Sequence, residues 1–194
     1  MANSKNKVKF GLSQVKIFPI TKDDESGTEY GEGFKVPGAV SLSLGAEGSS
    51  DPFYADNVPY FVTVSNNGYS GDLEMALIPD EFFTAIIGQT KGKDGVLIEN
   101  AMDKGTSFAM AFQFEGDVNA TRHILYKCTA TRPDTEGETI AEKVEPKAEK
   151  FSFTAIPRIS DQNVKAKCDG ESTAYATFFD KPYEPKVEAG TSQG

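Results

Sequence analysis

FYADNVPYFVTVSNNGYSGDLEMALIPDEFFTAIIG, residues 53–88, holds two alternating segments, a Gly-containing turn and one compact helix in close order. In 60–65, Tyr60, Val62 and Val64 face one way, and Phe61, Thr63 and Ser65 the other. In 73–78, Leu73, Met75 and Leu77 alternate with Glu74 and Ala76, the pattern of a strand with one wet side. Asn66-Asn67-Gly68 lies between them and tolerates positive φ, so the spacing predicts a hairpin turn there. Pro79 suits the first helical position, with Asp80 and Glu81 at the positive end of the helix dipole. Phe82 with Ile86, and Phe83 with Ile87, make i,i+4 pairs, and Gly88 fits a left-handed cap. The stretch reads strand, turn, strand, helix.

Working outward, the same period-2 signal recurs. Val15, Ile17 and Pro19 against Lys16, Phe18 and Ile20 predict a first strand, and residues 1–7 a polar arm. Residues 21–35 (TKDDESGTEYGEGFK) have no apolar period and predict a long loop. Val40, Leu42 and Leu44 alternate with Ser41, Ser43 and Gly45, followed by a turn at 46–51. Residues 96–98 form a short apolar strand. Phe108, Met110, Phe112 and Phe114 alternate with Ala109, Ala111, Gln113 and Glu115, the cleanest strand of the chain. Over 121–131, Arg122, Ile124, Tyr126, Cys128 and Ala130 are expected on one side. The charged segment 132–150 reads as a solvated connection; Phe151, Phe153 and Ala155, then Val164, Ala166 and Cys168, resume the alternation. Residues 175–179 suggest an extended piece, and 184–194 a disordered tail after a single domain over 1–183. Eight or nine strands and one short flanking helix predict a mainly β fold, an antiparallel sandwich or barrel.

Composition narrows the classes of function. A chain of 194 residues supports one sizeable core; fourteen Phe supply bulk without any Trp, and eighteen Gly and ten Pro favour short strands joined by turns. No apolar run approaches the roughly 18 residues of a membrane span. The start, MANSKNKVKF, has no apolar core of a signal peptide, so cytosolic synthesis and no membrane insertion are expected. Cys128 and Cys168 read as two free thiols on strands. A net charge of −9 opposes tight binding to DNA, which needs Lys and Arg on phosphates, but permits DNA to pass close by.

Catalytic patterns are missing. His123 lies in an alternating strand with no partner constellation and is expected to be a polar surface group. Gly68-Tyr69-Ser70-Gly71 lacks nucleophile-elbow spacing, and Gly31-Glu32-Gly33 lacks the context of a dinucleotide loop. Asp23-Asp24-Glu25 and 134–138 (DTEGE) read as solvated acidic loops without EF-hand spacing. No enzyme activity, cofactor or metal is expected.

Several segments together resemble a known family. Tyr-Ala-Asp-Asn (54–57), the aromatic strand after it, Gly-Tyr-Ser-Gly (68–71), Leu-Glu-Met-Ala-Leu (73–77) and Pro-Asp-Glu-Phe (79–82) are similar to the major tail protein family of long-tailed bacteriophages, in the type common in phages of Gram-positive bacteria. Lys9-Phe10-Gly11-Leu12 and residues 151–158 (FSFTAIPR) resemble its N-terminal segment and a late strand, and the likeness covers roughly residues 7–170. The resemblance implies a structural subunit of a tail tube, a fold shared with the tube protein of type VI secretion. Such subunits form stacked hexameric rings whose sheets close an inner barrel around a channel for DNA. It also implies assembly in the host cytoplasm, residence in the virion tail, and contact with tape measure, tail terminator and baseplate or distal tail proteins, with DNA crossing the lumen unbound. An acidic subunit suits such a lumen.

On that reading the polar segments 21–35 and 46–57 are suited to reach an adjacent ring. Asp23, Glu25, Tyr30, Phe53, Tyr54, Asp56 and Asn57 are the candidates for contact between subunits. Phe53 and Tyr54, flanked by Asp51 and Asp56, would form an aromatic anchor with a polar rim; packing at a loop base is the other reading. Ser41, Ser43 and Glu74, or Gln113 and Glu115, are the candidates for the lumen, against an outer solvated face. The rival function is a carbohydrate- or cell-surface-binding β-sandwich module of a virion, which would want an exposed aromatic platform.

Overall fold

The computed structural model describes residues 6–137, 139 and 147–185. A long strand, β1 (Lys9–Asp24), turns into β2 (Gly27–Tyr30), and the short β3 (Phe34–Lys35) returns to β1. β4 (Ala39–Glu47), β5 (Ser50–Ala55), β6 (Val58–Val64) and β7 (Gly68–Met75) follow. α1 (Asp80–Phe82) continues as a π-helical turn over Phe83–Ile87. After the small hairpin of β8 (Thr90–Lys91) and β9 (Leu97–Ile98) come β10 (Phe108–Gly116), β11 (Thr121–Ala130), β12 (Glu149–Ala155) and β13 (Lys165–Cys168). The main sheet runs β2-β1-β10-β11-β12-β7-β4, all antiparallel, with β13 on β11 and β3 on β1. The fold is mainly β and antiparallel with one short helix, as the alternation implied.

One face of this sheet closes on itself. Val15 and Ile17 of β1, Phe108, Met110 and Phe112 of β10, Leu125 and Cys128 of β11, Phe151 and Phe153 of β12, and Leu73 and Met75 of β7 share one cluster, edged by Leu42 and Leu44 of β4. A flat sheet could not bring its two ends to one core; here β4 curls back to approach β1. The helix plugs the opening. Phe82 is fully buried, stacked on Phe151 at 4.4 Å and edge-on to Phe108 at 6.3 Å. The wider π turn lets Ile86 and Ile87, adjacent in sequence, both reach the core. Gly88 ends it at φ 91, as expected, while Pro79 is the extended residue before the helix, not its first helical one.

The opposite face is half roofed. Phe18, Ala109, Ala111, Ile124, Tyr126 and Cys168 lie under Tyr175, Phe178, Phe179 and Tyr183. Residues 169–181 form successive turns rather than the expected extended piece; small alanines leave room for the aromatic side chains of this strap. Glu184, where a disordered tail was expected to start, is bonded to Arg158, and 186–194 lie outside the described residues. Residues 1–5 of the expected N-terminal arm also lie outside them, while Asn6 and Lys7 bond to the β10–β11 turn.

Three other expectations change. Met110 pairs with Leu125 but Phe108 with Cys128, so β11 carries one extra residue. That bulge sends Ile124 and Tyr126 to the strap side and Cys128 and Ala130 to the core, where one unbroken face was expected. Residues 21–35 form the β1–β2 hairpin and β3 rather than a loop, because polar side chains find partners on the body. Residues 66–68 make no reversal: β6 and β7 do not pair, and each continues a ladder against β5 and β4. The Asn66 side chain accepts the Gly68 N–H, a kink within one strand line.

Candidate assembly surfaces

β4–β5 and β6–β7 thus form one long ribbon, interrupted where the Ser65 N–H bonds the Ser49 carbonyl at 2.9 Å. The inner part, from Ala39↔Met75 to Glu47↔Gly68, belongs to the main sheet. The outer part, Ser50↔Val64 to Ala55↔Val58, leaves it as an arm. At the junction Gly68 is required: at φ 104, a Cβ there would meet the Ala155 carbonyl oxygen at 1.9 Å. Asp56 and Asn57, at φ 52 and 64, supply the tight tip that suits strand twist.

No part of the described chain covers the arm. Phe53 is 63% exposed, Tyr60 75% and Val64 75%, and Tyr54, Val58, Phe61 and Val62 are exposed as well. Pro52, Tyr54, Tyr60, Val62 and Val64 fall on one side by alternation, and Asp51, Phe53, Phe61 and Thr63 on the other. An isolated two-stranded hairpin is marginal in water, and a hairpin with so many exposed apolar side chains is unusual for a free surface. Phe53 and Tyr54 therefore do not pack at a loop base. With Asp56 and Asn57, these contact candidates all lie in the arm.

The remaining contact candidates lie elsewhere. The Asp23 carboxylate, 7% exposed, accepts Lys127 Nζ at 2.6 Å, Thr28 Oγ1 at 2.9 Å and the Ile159 N–H at 3.2 Å. Burial pushes its pKa up, but these hydrogen bonds outweigh it and hold the group below its ordinary value. Tyr30 donates to the Tyr126 carbonyl and accepts from Arg158, and burial raises its pKa to about 12. Both are satisfied inside the subunit, while Glu25 sits exposed in the β1–β2 turn. Sequence reading missed Arg158, 2% exposed, which lies over the Tyr126 ring and binds Asp161 and Glu184 with paired hydrogen bonds. It ties the strap to the β1–β2 hairpin; only the turn chemistry of 157–163 hinted at it.

Three of the lumen candidates come together on the unroofed half of the outer sheet face. Cross-strand rows there read Ser41, Glu74, Lys150; then Ser43, Asp72, Ser152; then Gly45, Ser70, Thr154. Hydroxyls and carboxylates bond each other within it: Ser41 Oγ to Glu74 Oε2 at 2.8 Å, Ser152 to Asp72, Ser70 to Glu47, with the Asp72 N–H on Ser43 Oγ at 3.1 Å. The result is a face of short polar side chains with three carboxylates, Glu47, Asp72 and Glu74, and one lysine. Gln113, 5% exposed, lies under Arg122, which also bonds the strap at Tyr175. It faces no open solvent, and Glu115 beside it accepts Gln113 and Ser13, which hold its pKa down.

Charge is segregated along the chain. Residues 36–90, which include the whole ribbon, contain no Lys or Arg and seven Asp or Glu. His123 departs from its expected surface role: it is buried and stacked on Phe112 at 5.2 Å, and its Nδ1 is a buried atom without a hydrogen-bond partner. Burial, then Lys165, Lys167 and Lys9, depress its pKa to about 4. Cys128 and Cys168 are free and buried. Among the described residues, no helix is long and apolar enough to cross a membrane.

No family model matches the chain, and no curated protein matches it in sequence. Among solved structures it is similar to a chain in the cryo-EM structure of the anti-feeding prophage (AFP) baseplate, 6-fold symmetrised. That match has a TM-score of 0.43 and 11% identity, and covers 86% of this chain and 97% of that one.

Proposed function

We propose that this protein is a structural subunit of a bacteriophage tail tube, self-assembling in the host cytoplasm into stacked hexameric rings that carry DNA through the virion tail. The observation that carries the reading is the uncovered arm. Burying one large apolar side chain stabilises by about 1.5–3 kcal/mol. The arm offers seven, enough to offset the roughly 4–15 kcal/mol lost in association. A second copy is the partner always present at high local concentration. The open serine and carboxylate face suits a channel wall: short side chains leave it smooth, and its negative sign repels duplex phosphates, so DNA slides without sticking. The outer edge of β4, which carries no partner strand among the described residues, offers backbone groups for joining sheets into a closed barrel. Tape measure, tail terminator and baseplate or distal tail proteins would meet the ends of the tube.

Negative-stain microscopy and sedimentation of the purified chain across a concentration series test the reading. Rings, or tubes that lengthen with concentration, support it; a monomer at every concentration overturns it. Tyr54, Tyr60 and Phe61 would also suit stacking on sugar rings. A monomer that binds cell-wall glycan and loses it on Tyr60→Ser would support that second reading, a carbohydrate-binding virion module.

A further inference from the structure

The core is closed at one end by His123 and the Phe112 and Phe114 rings, and three lysines surround that end. Lys9 Nζ lies 4.9 Å from the Phe114 ring centre, and Lys165 Nζ lies 5.0 Å from that of Tyr69. Lys167 pairs across strands with His123. All three are exposed, and none pairs with a carboxylate among the described residues, although Asp169 and Glu171 share a hollow with Lys167. Burial, then Lys9 and Lys167, lower the pKa of Lys165, so the ammonium groups repel one another in place. In a chain of charge −9 this is a cationic patch with no ion pair among the described residues, set over an imidazole that cannot supply a negative charge.

Register fixes where the patch lies relative to the arm. Cys128, Ala155, Tyr69 and Ala46 form one row across β11, β12, β7 and β4. Beyond that row, β4 and β7 lead into the arm, while β11 leads back to His123 and β1 to Lys9. Arm and lysines therefore share one end of the barrel. A copy stacked end to end would present its arm to the wrong end of its neighbour. A copy standing alongside in the same orientation, as in a ring, presents it to the right one. The arm is about 23 Å long at ~3.3 Å per residue, against a radius of gyration of about 16 Å for a chain of this size, so it can cross such a seam.

We infer that the Lys9, Lys165 and Lys167 patch is the docking site for the acidic, aromatic arm of the adjacent copy within a ring, with Asp51 and Asp56 facing the lysines and the arm aromatics over Tyr69 and Phe114. The contact is head-to-tail: each copy gives an arm and receives one, as ring closure requires. It rests on the self-assembly proposed above and adds which surfaces meet.

Charge swapping tests it. The arm variant is D51K/D56N, because Asn keeps the positive-φ tip that Lys would strain; the patch variant is K9E/K165E, with K9Q/K165Q as a milder form, and each is first shown by thermal melting to fold. Each reversal alone is expected to raise the concentration for half-assembly, read by sedimentation, by at least ~10-fold, and the combined four-site variant to bring it back to within ~3-fold of the native chain. Assembly unchanged in both reversals, or no recovery in the combination, overturns the pairing while leaving self-assembly standing. Unchanged assembly together with lost retention of short duplex DNA in K9E/K165E would assign the lysines to nucleic acid and overturn it too. A native chain that stays monomeric overturns both this inference and the tube reading.

Discussion

Two hairpins of similar length meet opposite fates in this molecule. The β1–β2 hairpin is polar, with Asp23, Asp24, Glu25, Ser26 and Thr28 around its turn, yet it is docked: Lys127 holds Asp23, Ser160 meets Thr28, and Arg158 meets Tyr30. The β5–β6 arm is apolar, with Phe and Tyr on both strands and Val on β6, yet no described part of the chain covers it. Hydropathy alone would dock the second and free the first. The difference teaches that burial within one chain follows the available partners as well as hydrophobicity. The polar hairpin has matching donors a few ångström away, whereas no described part of the arm's own subunit reaches its apolar faces.

The largest expected effect comes from stripping the arm. Phe53→Ser, Tyr60→Ser and Phe61→Ser together should abolish assembly by sedimentation while changing the unfolding free energy of the monomer by no more than about 0.5 kcal/mol, the usual scale for exposed sites. A loss of several kcal/mol in urea unfolding would mean the arm belongs to the core and would end the comparison. Next comes Lys127→Met, which leaves Asp23 nearly buried without its cation. It should cost about 2–3 kcal/mol and release amide protection in β2, measured by hydrogen exchange, with assembly intact.

A pH-dependent effect of similar size separates the body from the arm. The folded pKa of His123 is about 4, below its unfolded value of 6.5. Between those values the unfolded chain binds a proton that the folded chain does not. Stability is therefore full above pH 6.5 and falls as pH drops toward 4, by about 3 kcal/mol. Urea unfolding at successive pH values should show that slope, and His123→Phe should flatten it. Smallest of all, Lys91→Ala removes the exposed 2.9 Å pair with Asp80 and should change stability by less than about 0.5 kcal/mol.

Much of the fold was legible because alternation reports burial directly. β10, β12 and β13, the helix of Phe82 and Ile86, and the Gly88 cap stand where period and capping chemistry put them. What failed to show has a common cause: period-2 patterns give faces but not partners. Tyr60, Val62 and Val64 alternate as well as any core strand, and nothing in them says that no second layer lies above. A single extra residue at Tyr126 and Lys127 flips the remainder of β11, and bulges leave no compositional mark. The site was half legible on the same grounds. Phe53, Tyr54, Asp56 and Asn57, an aromatic anchor beside acids in the sequence, sit together on the arm; Ser41, Ser43 and Glu74 share one open face. Asp23 and Tyr30 stand out in sequence only for polarity, and their polar atoms meet Lys127 and Arg158 at long sequence separation, which no local pattern records; Gln113 is covered by Arg122 from the next strand.

The absence of Lys and Arg between Lys35 and Lys91 has a practical corollary. Trypsin finds no bond to cut in the arm, however exposed it is, whereas chymotrypsin finds Phe53, Tyr54, Tyr60 and Phe61 ready at the surface. The pair of proteases is a built-in gauge: chymotryptic nicking follows the arm's uncovered fraction, and the tryptic fragment spanning the ribbon supplies the internal standard.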